Sequence, residues 1–78
     1  MARAYLKIYV DGRNEERTLE DLLQIEGVKM ADLTMGEQDI IALIEADSFD
    51  DIVQIVLGQV RRIAGISRTV TNLAVSYR

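Results

Sequence analysis

Apolar and polar side chains alternate over the first ten residues of the chain. A period of two is typical of a β-strand that lies with one face against a core. The strand is predicted over residues 4–10, and the Asp11-Gly12 pair is expected to end it in a turn. Its two faces carry different side chains: Leu6, Ile8 and Val10 on one, and Tyr5, Lys7 and Tyr9 on the other.

The next segment, residues 14–25, has the period of an α-helix. Thr18 and Asp21 have the spacing of a capping box, so the helix is expected to begin either at Asn14 or only at Thr18. Gly27 is expected to end it, because glycine commonly follows a helix C-terminus. The predicted apolar stripe consists of Leu19, Leu22 and Leu23.

A second and clearer helical segment begins at Ser48. The Ser48-Phe49-Asp50-Asp51 segment has the spacing of a capping box, with acidic residues where the helix dipole favours them. Gly65 is expected to end this helix, with Arg61 and Arg62 in its last turn. The predicted apolar stripe consists of Phe49, Ile52, Val53, Val56, Val60 and Ile63.

Three further segments are predicted to be strands, over residues 28–35, 39–46 and 66–77. The segment 39–46 is apolar on both faces, which is typical of a central strand that is covered on both sides. The Gly36-Glu37-Gln38 turn is expected to join the first two of these strands as an antiparallel hairpin.

The chain contains an internal repeat. Ile25-Glu26-Gly27-Val28 returns as Ile63-Ala64-Gly65-Ile66, so a helix is followed by a glycine and a strand in both halves. Strand–helix–strand twice over predicts an α+β, ferredoxin-like β-α-β-β-α-β fold, with both helices on one face of a four-stranded antiparallel sheet. The other face, with Tyr5 and Tyr9, would be bare and in part apolar, so we expect at least a dimer.

Composition excludes several kinds of site. The 78 residues include no Cys and no His, which excludes thiolate chemistry and removes the commonest general base and metal ligand. The net charge of −4 argues against a nucleic-acid-binding surface. No segment has the length of a signal peptide core or a membrane span, and we expect a cytoplasmic protein without a cofactor or metal.

Asp39 is the acidic residue that stands out. The acids around the second helix start, Asp47, Asp50 and Asp51, have a simple explanation as capping residues. Asp39 instead opens an almost wholly apolar strand. Two interpretations are open: a turn residue that bonds nearby amides, or an acceptor for a ligand ammonium, with amides of the same turn facing a ligand carboxylate. Hydroxyls of Thr69 and Thr71 are candidate additional contacts.

The same turn carries a resemblance to a known family. Gly36-Glu37-Gln38-Asp39 and the apolar run 40–44 resemble the G-x-[YF]-D-hydrophobic signature of the effector (RAM) domain of leucine-responsive, or Lrp/AsnC, regulators. The two Ile-x-Gly steps and Arg68-Thr69-Val70-Thr71 also match, and the likeness covers about residues 3–77. Gln38 stands in place of the aromatic residue of the signature, and Ala64 stands in place of a family proline.

The resemblance implies a function. Effector domains of this family pair sheet to sheet as dimers, which associate into octamers or decamers, and bind small effectors, usually amino acids, between dimers. Carried over by position, the ligand-binding residues are Thr34, Met35, Gly36, Glu37, Gln38, Asp39, Thr69, Thr71 and Asn72. Full-length members add an N-terminal helix-turn-helix domain, whereas the first strand here begins near Met1, so we expect a single stand-alone effector domain over residues 1–78.

The leading hypothesis is a non-enzymatic, oligomeric amino-acid sensor that assembles with itself or with full-length Lrp/AsnC regulators, without direct contact with DNA or a membrane. Two alternatives remain at this point. One is an ACT-like regulatory module that binds its ligand elsewhere on a similar fold. The other is a cofactor-free enzyme of the dimeric α/β-barrel type, against which the absence of His and Trp weighs.

Overall fold

Strands and helices follow one another in the order that the repeat predicts. The computed structural model describes residues 1–12 and 14–75. Its elements are β1 (Ala2–Val10), α1 (Glu15–Leu23), β2 (Val28–Leu33), β3 (Ile40–Ala46), α2 (Phe49–Gly58), a 3₁₀ turn (Val60–Arg62) and β4 (Ile66–Leu73). The strands form one antiparallel sheet in the order β2-β3-β1-β4. The predicted ferredoxin-like fold is confirmed.

The hydrophobic core lies between the helices and one face of the sheet. On β1 the buried residues are the alternate ones that the pattern predicts, and β3 contributes a matching row. Leu22 of α1 and Ile52 of α2 pack onto this surface, so both helices cover the same face. The core residues are Ala4, Leu6, Ile8, Leu22, Val28, Ile40, Ala42, Ile44, Ile52, Val56 and Val60.

The opposite side of the sheet is not covered by either helix. We call this surface the open face. It includes large side chains that are well exposed, such as Tyr5 (43%) and Met30 (49%). By strand register, its members are Arg3, Tyr5, Lys7 and Tyr9 of β1, Ile41, Leu43 and Glu45 of β3, Met30 and Asp32 of β2, and Arg68, Val70 and Asn72 of β4.

Helix α1 begins at Glu15, with Asn14 as its N-cap, and not at Thr18. The capping-box interpretation of Thr18 is therefore wrong. Thr18 lies within helix α1, and its side chain is buried. Its hydroxyl donates a hydrogen bond to the Asn14 carbonyl at 3.1 Å. Leu23 is half exposed, because the buried side of the helix is centred on Thr18 and Leu22.

Helix α2 begins as predicted. The Ser48 hydroxyl accepts a hydrogen bond from the Asp51 amide at 3.1 Å, which is the expected N-cap. The helix ends earlier than predicted, at Gly58, and Arg61 and Arg62 lie in the separate 3₁₀ turn. Strands β2 and β4 are also shorter than predicted; β4 ends at Leu73, and the predicted strand residue Tyr77 lies outside the described residues.

The two Ile-x-Gly steps have the same backbone geometry. Gly27 and Gly65 have φ angles of +104° and +96°, which glycine tolerates better than other residues. Each step is closed by one hydrogen bond: Val28 N–H to Ile25 C=O at 3.1 Å, and Ile66 N–H to Ile63 C=O at 3.3 Å. The strand register then shifts at the matching place, after Val28 in β2 and after Ile66 in β4.

The repeat is broken by one insertion. The two N-caps, Asn14 and Ser48, are 34 residues apart, whereas the two glycines are 38 apart. The four additional residues of the second half are 59–62, which contain the 3₁₀ turn. This insertion explains why α2 ends before the position that the simple repeat predicts. None of the helices in the described part of the chain is long and apolar enough to cross a membrane.

Candidate functional site

The predicted ligand-binding turn, residues 34–39, is held by its own backbone and side chains. The Thr34 amide donates to the Asp39 carbonyl at 2.9 Å and closes the hairpin between β2 and β3. The Thr34 hydroxyl donates to the Gln38 carbonyl at 2.8 Å, and the Gln38 side-chain amide lies 3.4 Å from that hydroxyl. Gln38, which replaces the aromatic residue of the family signature, therefore packs back onto the turn.

Asp39 connects this turn to β1. Its carboxylate oxygen Oδ2 accepts a hydrogen bond from the Val10 amide at 2.8 Å, and its own amide donates to the Ile8 carbonyl at 3.0 Å. The side chain is partly buried. The turn-residue interpretation of Asp39 thus has a definite partner, which the sequence did not identify, because Val10 is 29 positions away. One carboxylate oxygen is engaged in this way.

The middle of the turn is exposed. Met35 is fully exposed, and Gly36 and Glu37 are exposed beside it. The closing hydrogen bonds use the amides of Thr34 and Asp39, at the two ends of the turn. The middle of the turn is thus open to a ligand or a neighbouring subunit.

Thr69 and Thr71 lie on the helix side of the sheet. They face α2 across a cleft of about 210 Å³, whose other walls are Val53, Val56, Leu57 and Arg61. Sequence reasoning assigned Val53 to the core stripe and Arg61 to the last turn of the helix, and did not single out Leu57. The signal was present in the sequence, because Val53 and Leu57 are four residues apart and so lie on one side of the helix.

Asn72 lies on the open face, on the opposite side of the sheet from Thr69 and Thr71. Its side-chain amide is 3.4 Å from the Tyr5 carbonyl. Thr69 pairs with Ile8, which pairs in turn with Ile40, so two strand spacings, about 9–10 Å, separate Thr69 from the start of β3. Within one chain, the predicted residues therefore lie in three separate places: the turn, the cleft and the open face.

The described structure also has clefts and charged side chains outside the predicted site. Clefts of about 370, 250 and 440 Å³ are lined by residues outside the predicted set. Among residues 1–12 and 14–75, no three His, Cys, Asp or Glu side chains are grouped so as to hold a metal ion. The Arg68 guanidinium lies over the Tyr9 ring, 4.8 Å from its centroid, on the open face.

Solved structures contain the same fold. FFRP-DM1 is 29% identical, with a TM-score of 0.90 over 96% of this chain and 100% of its own. The protein TTHA0845 from Thermus thermophilus is 22% identical, with a TM-score of 0.93 over 100% of this chain and 98% of its own. A transcriptional regulator from Neisseria meningitidis, solved as a complex with L-Met, is 10% identical, with a TM-score of 0.85.

The matched share of the other protein differs among these structures. The match to the neisserial regulator covers 96% of this chain but only 50% of that protein, whereas the two smaller proteins are matched over nearly their whole length. A search of curated protein sequences finds no match. The family model described as the Lrp/AsnC ligand binding domain matches residues 3–77, almost the whole chain. The chain therefore belongs to the Lrp/AsnC ligand-binding domain family.

Proposed function

We propose that this chain is a non-enzymatic sensor of a small metabolite, with amino acids as the first candidate class. The observation that carries the proposal is the match of the ligand-binding family model to residues 3–77, which include the structured turn 34–39. The complex of the neisserial regulator with L-Met supports the choice of ligand class, since that regulator shares this fold. The proposal includes the cytoplasmic location expected from the sequence.

The proposed site begins at Asp39. Because Oδ2 is bonded to the Val10 amide, the other carboxylate oxygen is the proposed acceptor for the ligand ammonium. Amides in the exposed middle of the turn, around Gly36, are the proposed donors to the ligand carboxylate, an arrangement in which successive backbone N–H groups bind an anion. Thr34 and Gln38 hold the turn in shape through their mutual contacts.

The remaining predicted residues belong to the proposal only through assembly. Thr69, Thr71 and Asn72 do not converge on the turn within one chain, so a shared site requires a second subunit. We propose that the open face pairs with a second copy, and that such dimers assemble further into octamers or decamers, or with full-length Lrp/AsnC regulators. The ligand would then lie between subunits and shift the assembly equilibrium by thermodynamic reciprocity.

A thermal-shift screen with the twenty amino acids tests the ligand class. A ligand at one hundred times its Kd stabilises the native state by about 2.7 kcal/mol. For a domain of this size that corresponds to an increase in Tm on the order of 10–20 °C. If no amino acid raises Tm, the ligand class is wrong, and turnover of a substrate without such stabilisation would favour an enzyme.

Asp39→Asn tests the site. The substitution keeps the shape but removes the charge, and a charge-assisted hydrogen bond contributes roughly 1.5–3 kcal/mol, so ligand affinity should fall about ten- to hundredfold. Asp47→Asn is the matched control, since Asp47 is exposed and lies beyond the other end of β3. Circular dichroism checks that both variants fold. Ligand affinity of Asp39→Asn within about twofold of the parent would exclude Asp39 as the ammonium acceptor.

Light scattering tests the assembly. The chain has a mass of 8.8 kDa, and the proposal expects at least twice that value at micromolar concentration. A mass near that of one chain under these conditions would contradict the pairing of open faces.

A further inference from the structure

A cleft of about 370 Å³ lies where the end of β1 meets the start of α1 and the second Ile-x-Gly step. It contains none of the predicted ligand-binding residues. One wall is a single side of α1 with its N-cap, because residues three or four positions apart lie together on a helix. The polar side chains of the cleft belong to Asp11, Asn14, Arg17, Thr18 and Asp21, and Gly65 also lines it.

Gly65 leaves two oxygen atoms beside an empty space. A Cβ at Gly65 would lie 3.3 Å from the Thr18 hydroxyl oxygen and 3.7 Å from the Asp11 carbonyl oxygen. Because glycine has no side chain, both oxygens border the same part of the cleft. The Asp11 amide donates to the Gly65 carbonyl at 2.6 Å, which holds these two residues next to each other. Two hydrogen-bond acceptors from different elements are therefore held around one point.

The Thr18 hydroxyl is an acceptor at this position. The residue is buried, with 2% of its surface exposed. Its hydroxyl donates to the Asn14 carbonyl at 3.1 Å, so the oxygen can only accept further hydrogen bonds. The Asp11 carbonyl oxygen is also an acceptor only. Asp21 follows Thr18 by three positions on the same side of the helix and adds a carboxylate. These oxygens together match a ligand group that has several donors and no acceptor.

A primary ammonium group has this character, because it carries three N–H donors and no acceptor. We propose that the cleft binds a short aliphatic diamine. One ammonium is held by the Thr18 hydroxyl, the Asp11 carbonyl and the Asp21 carboxylate. The second ammonium binds the carboxylate of Asp11, which is exposed. The hydrocarbon chain packs on Val10 and Ala64, the apolar side chains of the cleft.

Negative charge alone does not select this cleft. Among the described residues, a larger cleft of about 440 Å³ is lined by Glu26, Glu45, Asp47 and Asp51 and by no cationic side chain. The proposed cleft has two carboxylates and one cation, Arg17. A ligand attracted only by charge would therefore prefer the larger cleft, so that cleft serves as an internal control.

A titration with putrescine, followed by backbone NMR shifts, tests the proposal. The amide signals of Asp11, Arg17 and Gly65 should shift in a saturable way, with a Kd on the order of 1 mM because the site is partly exposed. Butylamine, which has one ammonium, should bind more weakly. Tetramethylammonium has the charge but no N–H donor, and the diol of the same length as putrescine has no charge. Neither should produce a saturable shift in this cleft.

Four variants test the contacts. Thr18→Val keeps the approximate shape but removes the buried acceptor, and Asp21→Asn removes one charge. Each should raise the putrescine Kd about threefold or more, and Asp21→Asn keeps the test valid if Thr18→Val impairs folding. Arg17→Gln should lower Kd, because it removes a like charge beside the ligand. Glu20→Gln is the matched control: it makes the same charge change as Asp21→Asn at an exposed position of α1 outside the cleft, and Kd should stay within about twofold.

The outcomes distinguish this site from nonspecific binding and from the proposed amino-acid site. Equal responses to putrescine and tetramethylammonium, or larger shifts around Asp47 and Asp51, would mean that amines collect by charge alone and would overturn the proposal. Shifts confined to residues 34–39 would also overturn it, because the amine would then occupy the proposed effector turn. An unchanged Kd in Thr18→Val and Asp21→Asn would exclude the proposed contacts. A failure of all amino acids to bind would refute the proposed function alone, since no proposed effector residue lines this cleft.

Discussion

Gly27 is the position where a single methyl group should cost this fold most clearly. Its φ of +104° is one that side chains disfavour, and a Cβ there would lie 3.0 Å from Ile55 Cδ1 and 3.2 Å from the Glu45 carbonyl oxygen. The Ile55 methyl is the end of a flexible side chain and can move. The Glu45 carbonyl cannot move as easily, because the Glu45 amide is bonded to the Gly27 carbonyl at 2.8 Å.

The expected loss of folding stability in Gly27→Ala has two parts. A non-glycine residue in a sparsely populated positive-φ conformation costs about 1–3 kcal/mol, partly offset by about 0.4–1 kcal/mol from the less flexible unfolded chain. The backbone must also shift to separate the new methyl group from the Glu45 carbonyl, which costs about 1–3 kcal/mol more, the usual cost of inserting a group into a packed site. Gly27→Ala should therefore destabilise by about 1–6 kcal/mol, a large share of the roughly 4–12 kcal/mol expected for 78 residues.

Two other glycines serve as controls. Gly12 has a φ of +111° but nothing within 4 Å of a Cβ, so Gly12→Ala isolates the backbone cost, about 1 kcal/mol. Gly58 is the last residue of α2, has no positive φ and also lies in open space, so Gly58→Ala should stabilise by up to about 1 kcal/mol. Urea unfolding at one fixed protein concentration measures all three, since association makes apparent stability depend on concentration. A loss for Gly27→Ala no greater than that for Gly12→Ala would refute the argument from the contact.

Three further substitutions test other parts of the structure by the same unfolding measurement. Asp39→Ala should cost about 1–3 kcal/mol, because it leaves the partly buried Val10 amide without its acceptor, whereas Asp39→Asn should cost less; equal losses would contradict this role. Ser48→Ala should cost about 1 kcal/mol through the lost bond to the Asp51 amide, and Ser48→Asp should recover most of it; no loss would mean that the cap is unimportant. Leu6→Ala should cost about 2–5 kcal/mol, because the side chain is completely buried; a loss below about 1 kcal/mol would place Leu6 outside the tightly packed core.

The parts of the fold that the sequence predicted well are those with a strong local signal. Alternation in residues 4–10 identified the buried face of β1, and the Ser48 cap identified the start of α2. The Ile-x-Gly steps fixed both helix-to-strand turns, since a positive φ at Gly27 and Gly65 is a local requirement. Together these signals were sufficient for the topology.

The errors arose where one local pattern has two structural meanings. Thr18 has capping-box spacing, but a threonine hydroxyl also bonds to the carbonyl four residues earlier inside a helix, and here it does so. The end of α2 was predicted too late because the second half of the chain contains an insertion, residues 59–62. The repeated Ile-x-Gly segment begins only after this insertion, so comparing the two segments does not reveal it. The role of Thr18 and the end of α2 both depend on tertiary contacts, which a local sequence pattern does not contain.

The candidate site was less predictable because its contacts are distant in sequence. The turn 34–39 was identified correctly as a structural unit, but the bond from the Val10 amide to Asp39 was not, since no local pattern records it. The separation of Asn72 from Thr69 and Thr71 does follow from strand alternation. Whether these residues share a site depends on a second subunit, which the sequence of one chain does not position.

The internal repeat holds for the order of the strands but not for the side chains of the open face. The repeat relates β1 to β3 and β2 to β4 by a two-fold axis perpendicular to the sheet. In the central row of the open face, Lys7 corresponds to Ile41 and Asp32 corresponds to Val70, so equivalent positions carry a charged residue in one half and an apolar residue in the other. The repeat therefore accounts for the topology, whereas the chemistry of the open face depends on each half separately.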